Sequence, residues 1–547
     1  MNSSFTILDY VIFGLYALII LSVGLWVSRG KKGVEKTAQD YFLASKSLPW
    51  WAVGASLIAA NISAEQMIGM SGSGMAVGLA IASYEWMAAI TLIIVGKYFL
   101  PIFIEKGLYT IPEFIEKRFS TNLKTILAVF WIALFIFVNL TSVLFLGGKA
   151  IDTILGTGDG SMIFTAIVCL ALFAAAYSLY GGLAAVAWTD VIQVTLLVVG
   201  GLITSIIALD HVTPDGGVIN GFSHIYETAG DKFHMIIKKG NPEFMNLPGI
   251  AVLIGGMWIA NLYYWGFNQY IIQRTLAAKS LKESQRGIIF AAFLKLIIPL
   301  IVVIPGIIAY VMFSQPEGTA MIDGVGEAFR KADGSLNYDK AYPWLISTFI
   351  PSGIKGLVVA ALAAAIVSSL ASMVNSTSTI FTMDIYKPYL EKKNGKNRDV
   401  TVGRISGAIA LVIAVIVAPT LGSIDQAFQY IQEYTGLVSP GILAVFMLGL
   451  FYKKATNKGA IAGILASIPV ALALKSSYLE LPWMDQMMYT FLITLVVIVF
   501  VSLSTNKHAD DPKGIELTSD TFVTGKVFNI SAYAILVVVA VLYAVFW

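Results

Sequence analysis

The chain has 547 residues, of which 57% are hydrophobic and 13% charged. Soluble domains carry about a quarter charged residues, so this composition predicts an integral membrane protein and excludes a small soluble module or a disordered chain. The formal net charge of +3 comes with no basic block of the kind that binds nucleic acid.

Apolar runs separated by charged or Gly/Pro-rich connections predict an all-α protein of about 14 transmembrane helices, each near the ~20 residues a bilayer requires. They fall near 7–28, 48–72, 79–104, 123–150, 160–180, 183–209, 247–273, 284–313, 344–385, 400–420, 424–452, 457–475, 482–504 and 527–547. No Lys or Arg precedes the first run and no small-residue cleavage site follows it, so it reads as a retained anchor. Arg29, Lys31, Lys32 and Lys36 come directly after it. Across the chain, Lys and Arg in alternate connections number 25 on one side and 8 on the other. That bias puts the richer side, including the loop 387–399, in the cytoplasm and both termini outside. The longest connections, about 210–246 and 314–343, are external, and neither reads as a domain of its own.

Several chemistries find no residues to carry them. Cys169, the only cysteine, lies in an apolar run, which rules out an internal disulfide and suggests core packing. His211, His224, His234 and His508 all lie in polar connections, where none can ligate a haem within the membrane. There is no HExxH, CxxC or GxxxxGK[ST] motif. No organic cofactor, no enzymatic activity and no ATP-driven pumping are therefore expected.

Polar residues inside apolar runs each ask for a reason, because a charge at the bilayer centre costs a few kcal/mol. In the second span stands Asn61-Ile62-Ser63-Ala64-Glu65-Gln66. Asn and Ser side chains compete for backbone groups, so a broken helix is expected. Such a break either lines a cavity or forms a polar seam between packed helices. The third span carries Ser83-Tyr84-Glu85, and the seventh carries Asn261 to Gln269, rich in aromatics and amides and including Tyr264. Lys295 stands alone in the eighth. Glu85 and Lys295 can compensate each other directly or through a bound polar solute. The ninth span has three alanines, Ala363 to Ala365, followed by Ser368, Ser369 and Ser372. Small residues allow close helix approach, and hydroxyls with freed carbonyls are hard oxygen ligands suited to a monovalent cation. The eleventh span holds Phe428, Gln429, Gln432 and Glu433, then Gly436 and Pro440, which predict a kink. Amides, single charges and aromatic rings together suit a carbohydrate. Spans 2–6 and 7–11 form two sets of five, each opening with a polar interruption, the pattern of an inverted-repeat transporter with a site near the midplane.

Long stretches then become recognisable: KSLPWWAVGASLIAANISAEQ (46–66), IASYEWM (81–87), YGGL (180–183), WTDVIQV (188–194), NLYYWGFNQYIIQRTLAAKS (261–280), AALAAAIVSSLASM (360–373) and AFQYIQEYTGLVSPGILAVF (427–446). Over nearly its whole length the chain resembles the sodium/solute symporter family, in particular its sodium/galactose (sodium/glucose-type) members. The resemblance implies a LeuT-type 5+5 inverted repeat with accessory helices at both ends. Its parts would be residues 1–45 (first accessory helix and loop), 46–210 (first half), 211–246 (external loop), 247–452 (second half) and 453–547 (C-terminal accessory helices).

The resemblance also implies residue roles. Sodium would be held by the carbonyls of Ala59, Ile62 and Ala365 and the hydroxyls of Ser368 and Ser369. The sugar would meet Gln66, Glu85, Asn261, Lys295 and Gln432, with Tyr264 stacked on it as inner gate. Met70, Tyr84 and Phe428 would close the outer side, and Asp190 would lie near the sodium exit route. One position departs: residue 88 is alanine, where the family's sodium/galactose pattern has a serine that contacts sugar. The implied activity is sodium-coupled import of galactose or glucose across the bacterial inner membrane, with sugar, sodium and membrane lipid as partners and no obligate protein partner. A sodium symporter for another polar solute, an uncoupled sugar uniporter and a sugar sensor are the other readings.

Overall fold

The computed structural model describes residues 5–29, 36–155, 160–314, 325–330, 334–391, 398–421, 427–476, 480–506 and 509–547. Lys31, Lys32, His508, residues 392–397 of the expected cytoplasmic loop and residues 424–426 of the expected eleventh span lie outside them. Among the described residues, eleven helices are long and apolar enough to cross a membrane, or twelve if one bent pair counts as a single span. The only β pairings there are two isolated bridges, Leu48 with Ala278 and Arg330 with Leu336.

In chain order the helices are α1 (Ile7–Val27), α2 (Trp50–Asn61), α3 (Ser71–Val77), α4 (Leu79–Glu105), α5 (Thr121–Leu155), α6 (Ile163–Gly181) and α7 (Leu183–Asp210). Next come α8 (Gly256–Phe267), α9 (Gln269–Leu276), α10 (Leu281–Phe313), α11 (Ile354–Tyr389) and α12 (Asp399–Leu421). The chain ends with α13 (Ala427–Gly436), α14 (Ser439–Phe451), α15 (Asn457–Ser476), α16 (Trp483–Asn506) and α17 (Lys526–Val545).

Three expected spans are broken helices. The second separates into α2 and α3, which runs on past the expected end to Val77. The seventh bends by 77° where α8 meets the preceding Pro242–Ile254 segment, and breaks again at Asn268, whose backbone is extended (φ −85°, ψ 120°). The eleventh divides into α13 and α14 just before Pro440, at the expected kink. A fourth expectation needs correction, because 344–385 is not one helix. A short helix, Ala341–Phe349, precedes α11. Ile350 is extended ahead of Pro351, as residues before proline are, and Gly353 takes φ +86°, where a side chain would be strained.

α11 is the most enclosed of the long helices: in its most apolar stretch 94% of residues are buried, against 17% in α1. Asp9 fastens α1 to the start of α11. It is fully buried, and its carboxylate accepts the amides of Gly353 and Gly356 at 2.8 and 2.7 Å. Free amides at a helix N-terminus favour an anion there. At the opposite flank α3 and α10 nearly touch, and a Cβ on Gly306 would lie 2.1 Å from the Ser71 carbonyl oxygen. The connection after α7 closes over the end of α3, where Lys232 donates to the Ala76 carbonyl at 2.5 Å. Burial pushes the Lys232 ammonium below lysine's ordinary value, and Asp231 and Glu243 partly oppose that shift. Cys169 is not core: it is exposed on the outer face of α6, where a membrane-embedded helix meets lipid.

Candidate functional site

The break between α2 and α3 is written in local hydrogen bonds. In an unbroken helix the Ser63 amide would reach the Ala59 carbonyl. Instead it donates to Gln66 Oε1 at 3.1 Å, joined there by Ser63 Oγ at 3.0 Å. The Glu65 amide turns to Ser63 Oγ at 3.0 Å in the same way. Ile62 becomes extended (φ −79°, ψ 103°), and the chain restarts in a wide turn of helix over Glu65–Met70. The side chains of this short run thus replace the backbone ladder and turn carbonyls away from it. Gln66 spends its amide oxygen inside the break, which leaves its NH2 as the end able to reach a solute.

Gln66, Tyr84, Glu85, Asn261, Tyr264, Lys295, Phe428 and Gln432 line one cavity of about 50 Å³. The expected solute residues are therefore gathered from α4, α8, α10, α13 and the break. Lys295 is 1% exposed and donates to Glu85 Oε2 at 2.5 Å, so the two charges pair directly. The same ammonium donates to Asn61 Oδ1 and lies 5.0 Å from the Trp265 ring centroid. Asn61 Nδ2 in turn donates to the Tyr264 hydroxyl at 3.0 Å, which also accepts from Tyr270 at 2.7 Å. One connected network therefore runs from α4 through the end of α2 to α8 and α9. Asn261 donates back to the Met257 carbonyl at 3.2 Å.

Aromatic rings close the cavity on two sides. Tyr84 and Phe428 meet edge to face with centroids 5.0 Å apart, and Tyr264 stands opposite, held by Asn61 and Tyr270. Met70 is fully buried but is not among the lining residues. Its neighbour Gly69 packs under Phe428, where an added Cβ would lie 2.9 Å from the Phe428 Cβ. Pockets for drug-sized ligands span roughly 300–1,000 Å³, so a sugar-sized solute enters only if these rings move apart.

Behind the break lie the residues expected to hold sodium. Ser369 Oγ donates to the Ala60 carbonyl at 3.0 Å, bringing the middle of α11 against the end of α2, where Ala59 and Ile62 sit. Ala365 is one turn earlier on α11, and all five positions are buried. Ser368 Oγ donates to Asp190 Oδ1 at 2.5 Å, so Asp190 stands directly beside this group. Ser56 Oγ donates to the other Asp190 oxygen at 2.5 Å. Arg274 lies 3.9 Å from Asp190 and donates to Ser56 Oγ, to the Tyr270 carbonyl and to Ser372 Oγ. Among the described residues there is no cluster of three or more His, Cys, Asp or Glu able to hold a metal.

Sequence reasoning did not single out several of these residues. Asn139 and Tyr270 line the cavity without having been marked by any polar run; Glu65, Trp265 and Asn268, from the two interrupted spans, line it too, and Glu65 Oε1 accepts from Ser142 at 2.6 Å. Arg274, at the cytoplasmic end of the expected seventh span, is fully buried. Arg118 and Lys124, in the connection before the expected fourth span and at its start, are buried too.

A broken helix packed beside an unbroken one, with a polar cavity lined by aromatic rings, is the arrangement of a membrane transporter. The model of the sodium:solute symporter family matches residues 41–467. A sodium/glucose cotransporter of Vibrio parahaemolyticus is 64% identical over 540 residues, covering 99% of this chain and 98% of that protein. A sodium/myo-inositol cotransporter 2 of Bos taurus is 34% identical, over 85% of this chain and 69% of its own. Among solved structures, a substrate-bound, outward-open Na+-coupled sialic acid symporter has a TM-score of 0.78 at 24% identity, covering 94% of this chain and all of that one. Inward-facing Mhp1 has a TM-score of 0.51 at 13% identity, covering 91% and 99%. These two share the fold. The chain belongs to the sodium:solute symporter family and is a sodium-coupled solute symporter of the membrane.

Proposed function

We propose that the transported solute is a neutral hexose, galactose or glucose, imported across the bacterial inner membrane. The observation that carries this reading is the buried Glu85–Lys295 pair, which presents donors and acceptors at no net charge beside aromatic walls. A neutral polyhydroxylated solute matches such a wall, because hydroxyls both donate and accept. Two relatives named for a sugar and a cyclic polyol support the same class. The experiment is uptake of labelled galactose and glucose into proteoliposomes. Accumulation above equilibrium with an inward sodium gradient, absent when potassium replaces sodium, is expected. Sodium-independent equilibration would mark a uniporter, and no uptake of either sugar a different solute.

The chain crosses the membrane fourteen times in this reading, with both termini outside and spans 2–6 and 7–11 as inverted halves. Sodium sits between Ala59, Ile62, Ala365, Ser368 and Ser369 and holds the broken helix against α11. That contact fixes Gln66 and Glu85 toward the sugar, with Asn261, Lys295 and Gln432 completing its hydrogen bonds. Tyr84, Phe428 and Met70 close outward, and Tyr264 gates inward. Coupling is reciprocal, so each ligand tightens the other. The membrane potential adds about 2.3 kcal/mol per charge per 100 mV. Because Ser368 gives its proton to Asp190, its lone pairs are the part left for an ion.

Replacing Ser368 by alanine is expected to raise the sodium concentration for half-maximal uptake by about tenfold, close to the ~1.4 kcal/mol of one hydrogen bond, while sugar affinity at saturating sodium holds. Initial uptake rates against sodium concentration measure this, and an unchanged half-saturation removes Ser368 from the site. At Ala88, which lines the cavity, restoring a hydroxyl with Ala88→Ser adds one hydrogen bond, about 1 kcal/mol or fivefold. The ratio of galactose to glucose KM is expected to shift by that order. If both constants stay put, position 88 does not touch the solute.

A further inference from the structure

Away from the solute path, a cavity of about 490 Å³ opens between the first turn of α2, the first third of α10 and the first half of α17. Its walls are stripes of single helix faces. Arg286, Phe290 and Phe293 recur at helical spacing on α10, and Val527, Ser531 and Ala534 do so on α17. Phe293 is 51% exposed and Val527 58% exposed, so the groove opens outward from the bundle, where lipid lies.

The groove has a polar end and an apolar end. α10 has 33 residues, about 50 Å of helix, well beyond a hydrocarbon core of about 30 Å. Arg286 stands in its second turn, at the start of the expected eighth span (284–313), where such a helix meets the headgroup region. Ser531, on the facing stripe of α17, lines the same groove. Trp50 stands at the same mouth, 38% exposed, its ring 5.7 Å from Phe290. Indoles favour this boundary between water and acyl chains. From Arg286 to Phe293 the groove descends about 10 Å and turns wholly apolar, closed at the back by Phe528 and Ile535. Glu283 accepts the Trp50 amide at 2.9 Å through one oxygen and lies 3.5 Å from Arg286 through the other. It thereby holds the guanidinium at the rim, shared rather than fully neutralised.

We propose that this groove is a binding site for an anionic diacyl phospholipid. The phosphate sits on Arg286, a backbone ester carbonyl accepts from Ser531, and one acyl chain fills the channel between Phe290, Phe293 and Ala534. A guanidinium fork fits phosphate geometry, and basic pockets between transmembrane helices bind anionic headgroups. A bound lipid couples α2, the first arm of the broken helix, to α17, an accessory helix.

The test uses the full-length protein in detergent and native mass spectrometry with added phosphatidylglycerol or phosphatidylcholine of identical acyl chains. The wild type is expected to retain at least fivefold more phosphatidylglycerol than phosphatidylcholine, and to gain thermal midpoint with the former only. Arg286→Gln is expected to erase the headgroup preference while still taking up lipid. Ala534→Phe, a change on an exposed face, is expected to fill the channel and lose lipid of either kind while the protein stays folded. Equal retention of the two lipids by the wild type overturns the proposal. So does an undiminished preference in Arg286→Gln, or undiminished lipid in Ala534→Phe.

Discussion

Replacing Lys295 by alanine is expected to lower sodium-driven sugar uptake by at least about a hundredfold. The ammonium is 1% exposed and bonded to both Glu85 and Asn61. Its removal leaves Glu85, 3% exposed, as a charge without a cation beside it. Breaking one side of a buried pair typically costs about 3–5 kcal/mol, more than two decades in an equilibrium constant. The loss reaches further than the pair, because Asn61 relays Lys295 to Tyr264 and Tyr270. Without it, Asn61 Oδ1 loses its donor, and the bond from Asn61 Nδ2 to Tyr264 is all that orients the end of α2 toward the inner ring. A double change, Glu85→Gln with Lys295→Met, separates stability from recognition. It removes both charges at similar volume, so the thermal midpoint should recover most of the loss while uptake stays low. Uptake by Lys295→Ala within a few-fold of the wild type would show that the pair is scaffolding and the solute is read elsewhere.

Much of this arrangement is legible in the chain because a charge or a polar run in an apolar segment has few explanations. Glu85, Lys295 and the Asn61–Gln66 run stand out on that ground alone, and all prove to meet at one cavity. Single amides do not stand out. Asn139 sits in a segment whose hydropathy hardly registers one polar side chain, so only the packing of α5 reveals that it faces inward. Bases near span ends are ambiguous in a different way. Lys and Arg there usually extend to water, so nothing in the sequence marks Arg118 and Arg274 as buried. Arg118 instead turns inward to the carbonyls of Gly449 and Ala455, both at 2.9 Å. Helix ends follow local chemistry that hydropathy averages away, so a window across Ile350-Pro351 joins two helices that the backbone separates. Cys169 shows the limit of composition, since an apolar run says that a residue is in the membrane but not whether it faces protein or lipid.

Arg274 is the residue whose loss should affect the sodium side most. It is fully buried, and its guanidinium joins α9 to Ser56 on α2, Ser372 on α11 and Asp190 on α7. Asp190 in turn takes its hydrogen bonds from Ser56 and Ser368. Arg274→Met is expected to destabilise the protein by about 3–5 kcal/mol, since it leaves Asp190 buried without its cation, and to abolish sodium-dependent uptake. Asp190→Asn alone strands the guanidinium and should cost a similar amount. The two together should cost less than the sum by about 2 kcal/mol or more, a coupling that a double-mutant cycle on thermal midpoints can read. Arg274→Lys separates charge from geometry. Lysine keeps the charge but cannot bond Ser56, Ser372 and the Tyr270 carbonyl at once, so the protein should fold while its sodium half-saturation rises several-fold. Additive costs in the cycle would mean that Arg274 and Asp190 are held apart by their hydroxyl neighbours. A normal sodium response in Arg274→Lys would mean that charge alone, without the fork, positions Ser368.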